Sequence, residues 1–241
     1  AAPILQARKP PLLHNSIRTV SETHPMQFSI APSKATQSMH IQCECGKFRA
    51  QLNQFPRNTP GRLACYCDDC QTYLHHLNRA DLLDDAGGTE VIPVYPADMK
   101  ILAGREVLKC VRLSAQGLYR WYAGCCNTPL ANTKPGFPWV GIPHRAYSVE
   151  DAGYLERTFG PVKSRIKGRF ARGTPPSGTA ADLDFKGFMT VLPFLLKGLL
   201  TGKAKHSPFF EQDGATPIVQ PLVLSLDERN ALRQRLGFAP R

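Results

Sequence analysis

Residues 43–70 read CECGKFRAQLNQFPRNTPGRLACYCDDC and contain five of the eight cysteines in the 241-residue chain. These cysteines form a C-x-C-G pair and a C-x-C-x-x-C triplet, namely Cys43 and Cys45, and Cys65, Cys67 and Cys70. Zinc is bound by thiolates at about 2.3 Å, and short loops of this kind let several sulfurs converge on one ion. The stretch therefore predicts a unit that is built around metal.

The other three cysteines follow downstream. Cys110 lies in a segment of alternating hydrophobicity, and Cys125 and Cys126 are adjacent. A disulfide framework is typical of short secreted domains, whereas this chain is long and shows no legible secretory signal. We therefore expect a reduced, cytoplasmic chain whose clustered cysteines bind metal.

The composition is that of a globular protein. The chain has 42% hydrophobic and 20% charged residues, and 30 Lys+Arg against 19 Asp+Glu give a net charge of +11. These values exclude wholesale disorder and an integral membrane protein. The most apolar stretch, residues 184–200, is too short and too interrupted for the roughly 20 apolar residues of a spanning helix. We expect no transmembrane span there but a core-packing helix, with an interfacial membrane helix or an oligomer contact as alternatives.

Hydrophobic patterning divides the chain into three parts. Residues 1–38 are rich in Pro, Ser and Thr without a sustained period, which predicts a basic, extended and poorly ordered arm. Residues 39–150 contain short alternating segments separated by turns, which predict a mainly β module. Residues 151–241 form a C-terminal extension with helices predicted near 184–200 and 226–236.

The order of the motifs carries a resemblance. After the C-x-C-G pair and the C-x-C-x-x-C triplet, the segment Arg120-Trp121-Tyr122 leads to Cys126, which is followed by Asn-Thr-x-Leu. This order resembles the glutathione-dependent formaldehyde-activating (GFA) family and its centromere protein V-like relatives, over about residues 39–145. It is most similar to an uncharacterised bacterial branch with a C-C-N-T-P motif.

The resemblance implies the Mss4-like fold, a twisted antiparallel β architecture with two zinc sites. Two ligand sets are implied, a structural set of Cys43, Cys45 and Cys126 and a catalytic set of Cys65, Cys67 and Cys70. A catalytic zinc ion with three protein ligands keeps a fourth position for water or a substrate sulfur.

The fourth ligand of the structural set is not given by the resemblance, because Ala123 stands where the family has a cysteine. Cys125 can replace it if the chain turns there, since adjacent residues on a regular strand point to opposite faces. The alternatives are Cys110, for which a buried apolar thiol is the simpler interpretation, and a degenerate site. Two zinc ions per chain are expected, or one if the site is degenerate.

By resemblance, the predicted function is that of a zinc-dependent carbon–sulfur lyase or thiol-adduct enzyme. It would act on an aldehyde adduct of glutathione or a similar thiol, because zinc lowers a thiol pKa and polarises an aldehyde oxygen. Four arginines are candidate partners for the carboxylates of such a thiol: Arg49, Arg62, Arg79 and Arg120.

Two pairs near the triplet allow more than one interpretation. His75 and His76 end a helix predicted over residues 69–77, where solvent exposure or ordinary hydrogen bonding is the simpler interpretation and a metal or catalytic role the alternative. Asp68 and Asp69 lie inside the C-x-x-C loop, where they indicate a helix start.

A non-catalytic binding module, stabilised by zinc, is the alternative function. Residues 157–172 (RTFGPVKSRIKGRFAR) contain six basic residues and no acidic one. They would suit a nucleic acid or an anionic surface, and the module itself could contact a protein, although a solvated linker is the simpler interpretation. Redox sensing by Cys67 and Cys70 ranks last, because the thioredoxin-like βαβ context is missing. The sequence leaves the oligomeric state open.

Overall fold

The computed structural model describes residues 37–55, 58–147 and 153–241. The strands are β1 (Gln37–Gln42), β2 (Arg49–Phe55), β3 (Leu63–Cys65), β4 (Thr89–Val94), β5 (Met99–Ala103), β6 (Leu108–Arg112), β7 (Tyr119–Ala123), β8 (Thr128–Thr133), β9 (Val140–Pro143), β10 (Ser164–Ile166) and β11 (Leu222–Val223). The helices are α1 (Asp68–His76), α2 (Tyr154–Phe159), α3 (Phe185–Leu200) and α4 (Leu226–Arg235). The predicted mainly β class is confirmed. Of the predicted arm, only residues 37 and 38 are described, and they begin β1.

The strands form two sheets. The smaller sheet has the order β1-β2-β5 and is antiparallel throughout. The larger sheet has the order β10-β3-β4-β9-β8-β7-β6-β11. It is antiparallel except at its edges, where β10 pairs with β3 and β11 pairs with β6 in parallel. The larger sheet therefore takes strands from both sides of residue 150.

The main core combines side chains from both sheets. Ile41 and Leu52 come from the smaller sheet, Trp121 and Leu130 come from the larger one, and all four are at most 1% exposed. Phe209, from the chain after α3, packs against Trp121 with ring centroids 5.0 Å apart. The C-terminal part of the chain thus supplies core as well as edge strands.

Helix α1 lies on the other face of the larger sheet. Cys67 caps its N-terminus, and the Cys67 Sγ accepts a hydrogen bond from the backbone N–H of Cys70 at 3.3 Å. Tyr73 and Leu74 are buried in a second apolar cluster that includes Val111 of β6. Alternate residues of a strand point to opposite faces. Strand β7 therefore places Trp121 in the main core and Tyr122 against the cluster beneath α1.

Helix α3 buries only one stripe of its surface. Among its residues only Gly187, Phe194 and Gly198 are buried. Phe194 stacks on Tyr95 with centroids 4.1 Å apart, and the Tyr95 hydroxyl donates to the Phe194 carbonyl at 2.8 Å. The expectation of a core-packing helix therefore holds for one stripe only, because the other apolar side chains have no protein surface to face. None of the described helices is long and apolar enough to cross a membrane.

The basic segment 157–172 is folded rather than extended. It contains the end of α2, all of β10 and a short helical turn. Lys167 and Arg169 both pair with Asp182, at 2.5 and 2.7 Å. Part of its positive charge is therefore neutralised within the protein.

Gly104 packs closely against the loop that follows Cys43, and a substitution there tests how much this contact contributes to stability. Its φ is +81°, and a Cβ there would lie 2.4 Å from the carbonyl oxygen of Lys47 and 2.6 Å from the Cα of Phe48. We expect Gly104→Ala to lower the free energy of unfolding by about 2 kcal/mol or more, because backbone strain and a clash add together. Urea unfolding followed by circular dichroism measures this loss.

Gly136→Ala is the matched control. Its φ of +67° imposes the same kind of backbone strain, but nothing lies within 4 Å of the added Cβ. We expect a loss of about 1 kcal/mol for strain alone. Equal losses for the two variants would show that the contact beneath the loop is unimportant.

Candidate metal centres

Four cysteines converge in the first centre, which comprises Cys43, Cys45, Cys125 and Cys126. Their sulfurs all lie within 4.8 Å of one another. The Sγ–Sγ distances are 3.5 Å for Cys43–Cys45, 3.9 Å for Cys43–Cys125, 3.1 Å for Cys45–Cys125 and 3.8 Å for Cys125–Cys126. A tetrahedron with zinc–sulfur bonds of about 2.3 Å has edges of about 3.8 Å. All eight cysteines are free, and this group could hold a metal ion.

A tight turn brings adjacent cysteines to the same place. At the end of β7, the N–H of Gly124 donates to the carbonyl of Val107 at 2.7 Å, and that of Asn127 donates to the carbonyl of Ala123 at 2.8 Å. Asn127 has a φ of +53°, a left-handed conformation that asparagine tolerates. The turn frees Cys125 and Cys126 from the alternation of a strand. Cys125 thus joins the group, which is one of the alternatives that the sequence leaves open.

The other half of the first centre is a turn between β1 and β2. The N–H of Gly46 donates to the carbonyl of Cys43 at 2.9 Å, and Gly46 has a φ of +74°. The N–H of Phe48 donates to the Sγ of Cys43 at 3.2 Å. Such a hydrogen bond stabilises a thiolate, which is the form that binds metal.

Cys126 is the most readily ionised thiol of the first centre. Burial raises its pKa, but hydrogen bonds from the Thr128 hydroxyl and from the backbone N–H groups of Cys45 and Thr128 lower it, and the resulting pKa is about 6. The Thr128 Oγ1 lies 3.1 Å from the Cys126 Sγ. These hydrogen bonds therefore favour the thiolate of Cys126, which is the form that binds metal.

Three cysteines form the second centre, which comprises Cys65, Cys67 and Cys70. Cys65 ends β3, Cys67 precedes α1 and Cys70 lies in its first turn, so that a strand-to-helix junction holds all three. Their sulfurs lie within 4.8 Å of one another, and no histidine, aspartate or glutamate of the described residues joins them. All three are partly exposed. The group could hold a metal ion with three protein ligands.

A buried arginine lies behind the second centre. Arg120 of β7 is 4% exposed, and its Nη1 lies 3.9 Å from the Cys70 Sγ. The same nitrogen donates to the Asn132 Oδ1 at 3.2 Å, and the guanidinium lies over the Tyr73 ring, 5.2 Å from its centroid. Hydrogen bonds from the Cys65 and Cys67 thiols hold the pKa of Cys70 well below its usual range; burial opposes this shift and Arg120 assists it.

The other candidate arginines do not contact the second centre. Arg62 donates to the carboxylate of Glu90 at 2.8 and 3.0 Å. Arg79 is paired with Glu44 and Asp81, and Arg49 is exposed. Arg120 is one of four arginine candidates in the sequence. The pairing of β7 with its neighbouring strands is what places it next to Cys70.

His75 and His76 belong to neither cysteine group. Burial lowers the pKa of both, with Arg172 adding to the shift of His75 and Glu228 opposing that of His76. Cys110 is also outside both groups; it is 3% exposed within the main core, where burial raises its pKa to about 12. The simpler interpretation of this thiol therefore fits the structure.

The acidic pair in the C-x-x-C loop has partners that sequence reasoning missed. Asp68 is buried and paired with Arg233 of α4 at 2.5 Å. Asp69 is paired with Arg229 at 3.2 Å. Arginines at 229 and 233 share one face of a helix, but this spacing does not indicate which carboxylates they contact. The C-terminal helix is thereby attached to the loop of the second centre.

A cavity of about 570 Å³ lies on the other side of β3 from the second centre. Ala64 and Tyr66 line it, whereas the alternating Cys65 and Cys67 do not. The Tyr66 hydroxyl donates to the Asp84 carboxylate at 2.8 Å. No cysteine of either centre borders this cavity.

Metal analysis of cysteine variants tests the two groups. We expect about two zinc ions per chain in the protein purified from zinc-containing medium, and about one in Cys67→Ser or Cys125→Ser, because each variant removes one ligand of one group. Cys110→Ser is the matched control and should keep two. Elemental analysis by mass spectrometry measures the content. Retention of two ions by Cys67→Ser would contradict the assignment of the second centre.

The attachment of α4 is tested by Asp68→Asn. This variant removes the short ion pair of the buried Arg233 and leaves that arginine only the 4.0 Å ion pair with Asp69, and we expect the free energy of unfolding to fall by about 3 kcal/mol. Asp182→Asn, which affects the exposed pairs of the basic segment, should leave stability nearly unchanged. Urea unfolding of both variants gives the comparison, and equal stabilities would show that the buried pair is not important.

Comparisons with known proteins identify a family whose function is unknown. The model of a family of unknown function, DUF6151, matches residues 35–220. No curated protein is significantly similar to the chain. A crystal structure of a protein from Rhodobacter sphaeroides, a structural genomics target, aligns with 52% of this chain and 97% of its own chain, at 14% identity and a TM-score of 0.36. A likeness at this score carries no argument about fold or function. Because the family match covers well over half of the chain, the protein belongs to the DUF6151 family.

Proposed function

We propose that the protein is a zinc-dependent carbon–sulfur lyase or thiol-adduct enzyme that acts on an aldehyde adduct of glutathione or a similar thiol. The second centre would be the reaction site. The observation that carries this proposal is a group of three thiols to which the described residues add no fourth histidine or carboxylate ligand. The resemblance of the motif order to the GFA family supports the same assignment.

The proposed reaction needs no redox partner. In the forward direction the thiol sulfur forms a bond to the carbonyl carbon, and the thiol proton ends on the carbonyl oxygen as a hydroxyl group. The reverse direction breaks the carbon–sulfur bond and returns the thiol and the aldehyde. Catalysis therefore requires a more acidic thiol and a polarised carbonyl.

Residues of the second centre fit a zinc ion as ligands. When bound, zinc would lower the pKa of a substrate thiol or polarise the aldehyde oxygen, whichever of the two occupied the one position that three thiolates leave open. Cys65 is held by a strand and Cys70 by a helix, so that the ligand set is fixed by two elements of the fold. The described part of the chain offers the same arrangement nowhere else.

Arg120 would tune the charge of the second centre. Its guanidinium, buried beside Cys70, offsets part of the negative charge that three thiolates bring together. Asn132 and Tyr73 keep it in place through a hydrogen bond and a cation–π contact. Because the cavity on the other side of β3 has no cysteine in its lining, we do not place the substrate there.

The first centre has a different role in this proposal. Four thiols complete a tetrahedron without a position for substrate, which is typical of structural zinc. Two of them come from the smaller sheet and two from the larger one. Its metal would stabilise the packing of the two sheets.

A non-catalytic module is the second candidate, and one observation favours it. Arg229 and Arg233 attach α4 to Asp68 and Asp69, inside the loop of the second centre. A metal ion there would then stabilise the junction of β3, α1 and α4 without turnover. The module would contact a protein, a nucleic acid or an anionic surface.

An adduct assay distinguishes the two candidates. The zinc-loaded protein is mixed with an aldehyde, either formaldehyde or a longer one, and with glutathione, cysteine or another small thiol. Nuclear magnetic resonance exchange spectroscopy measures the rate at which the free thiol and aldehyde interconvert with their adduct. We expect faster exchange with at least one pair, because the open position would activate the thiol.

Variants locate any such activity. Cys67→Ser should return the exchange rate to the uncatalysed value, and Cys110→Ser should leave it unchanged because Cys110 lies outside both groups. Cys125→Ser, examined under conditions in which it remains folded, should keep the activity. A zinc-loaded, folded protein that accelerates no pair would favour the non-catalytic module instead.

A further inference from the structure

Helix α3 presents a broad apolar surface to solvent. Phe185 is 79% and Leu200 86% exposed, and Leu196 and Leu199 are about half exposed at 50% and 54%. At about 100° per residue, the apolar side chains opposite the buried stripe fall within an arc of about 140°. We call this surface the outer face of α3; it comprises Phe185, Phe188, Met189, Leu192, Pro193, Leu196, Leu199 and Leu200.

A contiguous apolar surface of this kind marks an interaction site on a soluble domain. Single exposed leucines need no explanation, but the outer face gathers eight apolar residues on one helix. The helix is anchored to the protein through Gly187, Phe194 and Gly198, on the opposite side. The outer face is therefore presented outward by a fixed support.

The charged side chains within α3 are lysines, and Asp184 caps its N-terminus by accepting a hydrogen bond from the Gly187 N–H. Residues 185–210 contain four lysines and no aspartate or glutamate. Lys186 and Lys197 lie on the helix at one edge of the outer face, and Lys203 and Lys205 follow the helix. Lys203 is paired with Asp98, whereas Lys186 and Lys205 form no ion pair with any described residue.

This arrangement is typical of a helix that lies in a membrane interface, with apolar side chains in the acyl boundary and lysines near the headgroups. Sixteen residues give a length of about 24 Å, short of the roughly 30 Å of a hydrocarbon core. A second copy of the chain would bring Lys186 and Lys197 of its own helix against the lysines of this one, with Asp184 as the one carboxylate of each helix start. An anionic lipid surface complements both the apolar and the charged features.

We propose that α3 docks the protein on an anionic membrane surface, lying parallel to it with the outer face in the bilayer. Lys186 and Lys205 then contact the lipid headgroups. This inference does not depend on whether a reaction occurs at the second centre.

Vesicle flotation of the full chain tests the proposal. The probes are vesicles of phosphatidylcholine alone and vesicles with a quarter phosphatidylserine, at 0.1 M salt. We expect at least about tenfold stronger binding to the anionic vesicles, weakened by 0.5 M salt because the surface potential is screened. Leu196→Glu should weaken binding at least about tenfold, because a charge enters the outer face.

Control variants separate the outer face from other surfaces. Leu226→Glu changes a leucine of α4 that is 60% exposed and should bind like the unaltered protein. Lys186→Gln and Lys205→Gln should each weaken binding to anionic vesicles about fivefold. Circular dichroism confirms that each variant is folded, and Leu199→Gln replaces Leu196→Glu if that variant unfolds.

Three results would overturn the proposal. The first is a folded protein that binds neither kind of vesicle at 0.1 M salt. The second is binding that is insensitive to Leu196→Glu and Leu199→Gln but lost in the double variant Lys167→Gln, Arg169→Gln, which would assign it to the basic segment. The third is a dimer in sedimentation equilibrium that Leu196→Glu dissociates, without vesicle binding.

Discussion

The convergence of four sulfurs from two sheets is the constraint on which the rest of the structure depends. Cys43 and Cys45 lie in the turn after β1, and Cys125 and Cys126 lie in the turn after β7. Their sulfurs lie within 4.8 Å of one another. The two turns must therefore face each other, regardless of the conformation of the segments between them. The main core lies behind this junction, with Ile41 and Trp121 from opposite sheets among its most buried residues. A metal at this point would add a direct link between the two sheets beside the apolar core that they share.

Local sequence patterns predicted many of the secondary-structure elements and part of the cysteine grouping. Alternation marked the strands, the helix at Asp68–His76 followed from its acidic start, and cysteine spacing grouped Cys65, Cys67 and Cys70. The joining of Cys43 and Cys45 with Cys126 was implied by the family resemblance instead. Cys125 required an additional condition, a turn that abolishes alternation, and Asn127 provides it. These features depend on neighbours in sequence, where spacing and backbone preference act directly.

Long-range contacts could not be predicted in the same way. Arg120 is one of several arginines in the sequence, and only strand pairing places it beside Cys70. Asp68 and Arg233 are 165 residues apart, and nothing local in either segment specifies the pair. The apolar sequence of α3 was compatible with burial on all sides, and its exposure depends on how little of the sheet lies beside it. Each of these contacts depends on the tertiary structure, which the periodicity of the sequence does not specify.

The pairing of Asp68 with Arg233 has a consequence for the order in which the protein is made. The cysteines of the second centre leave the ribosome well before α4 is synthesised, and domains fold as the chain emerges. Until then Asp68 and Asp69 remain hydrated, and their negative charge stands beside the thiols without compensation. The arginines arrive later and neutralise the loop, so that the acidic pair attaches the C-terminal helix to the loop of the second centre only after α4 has been made.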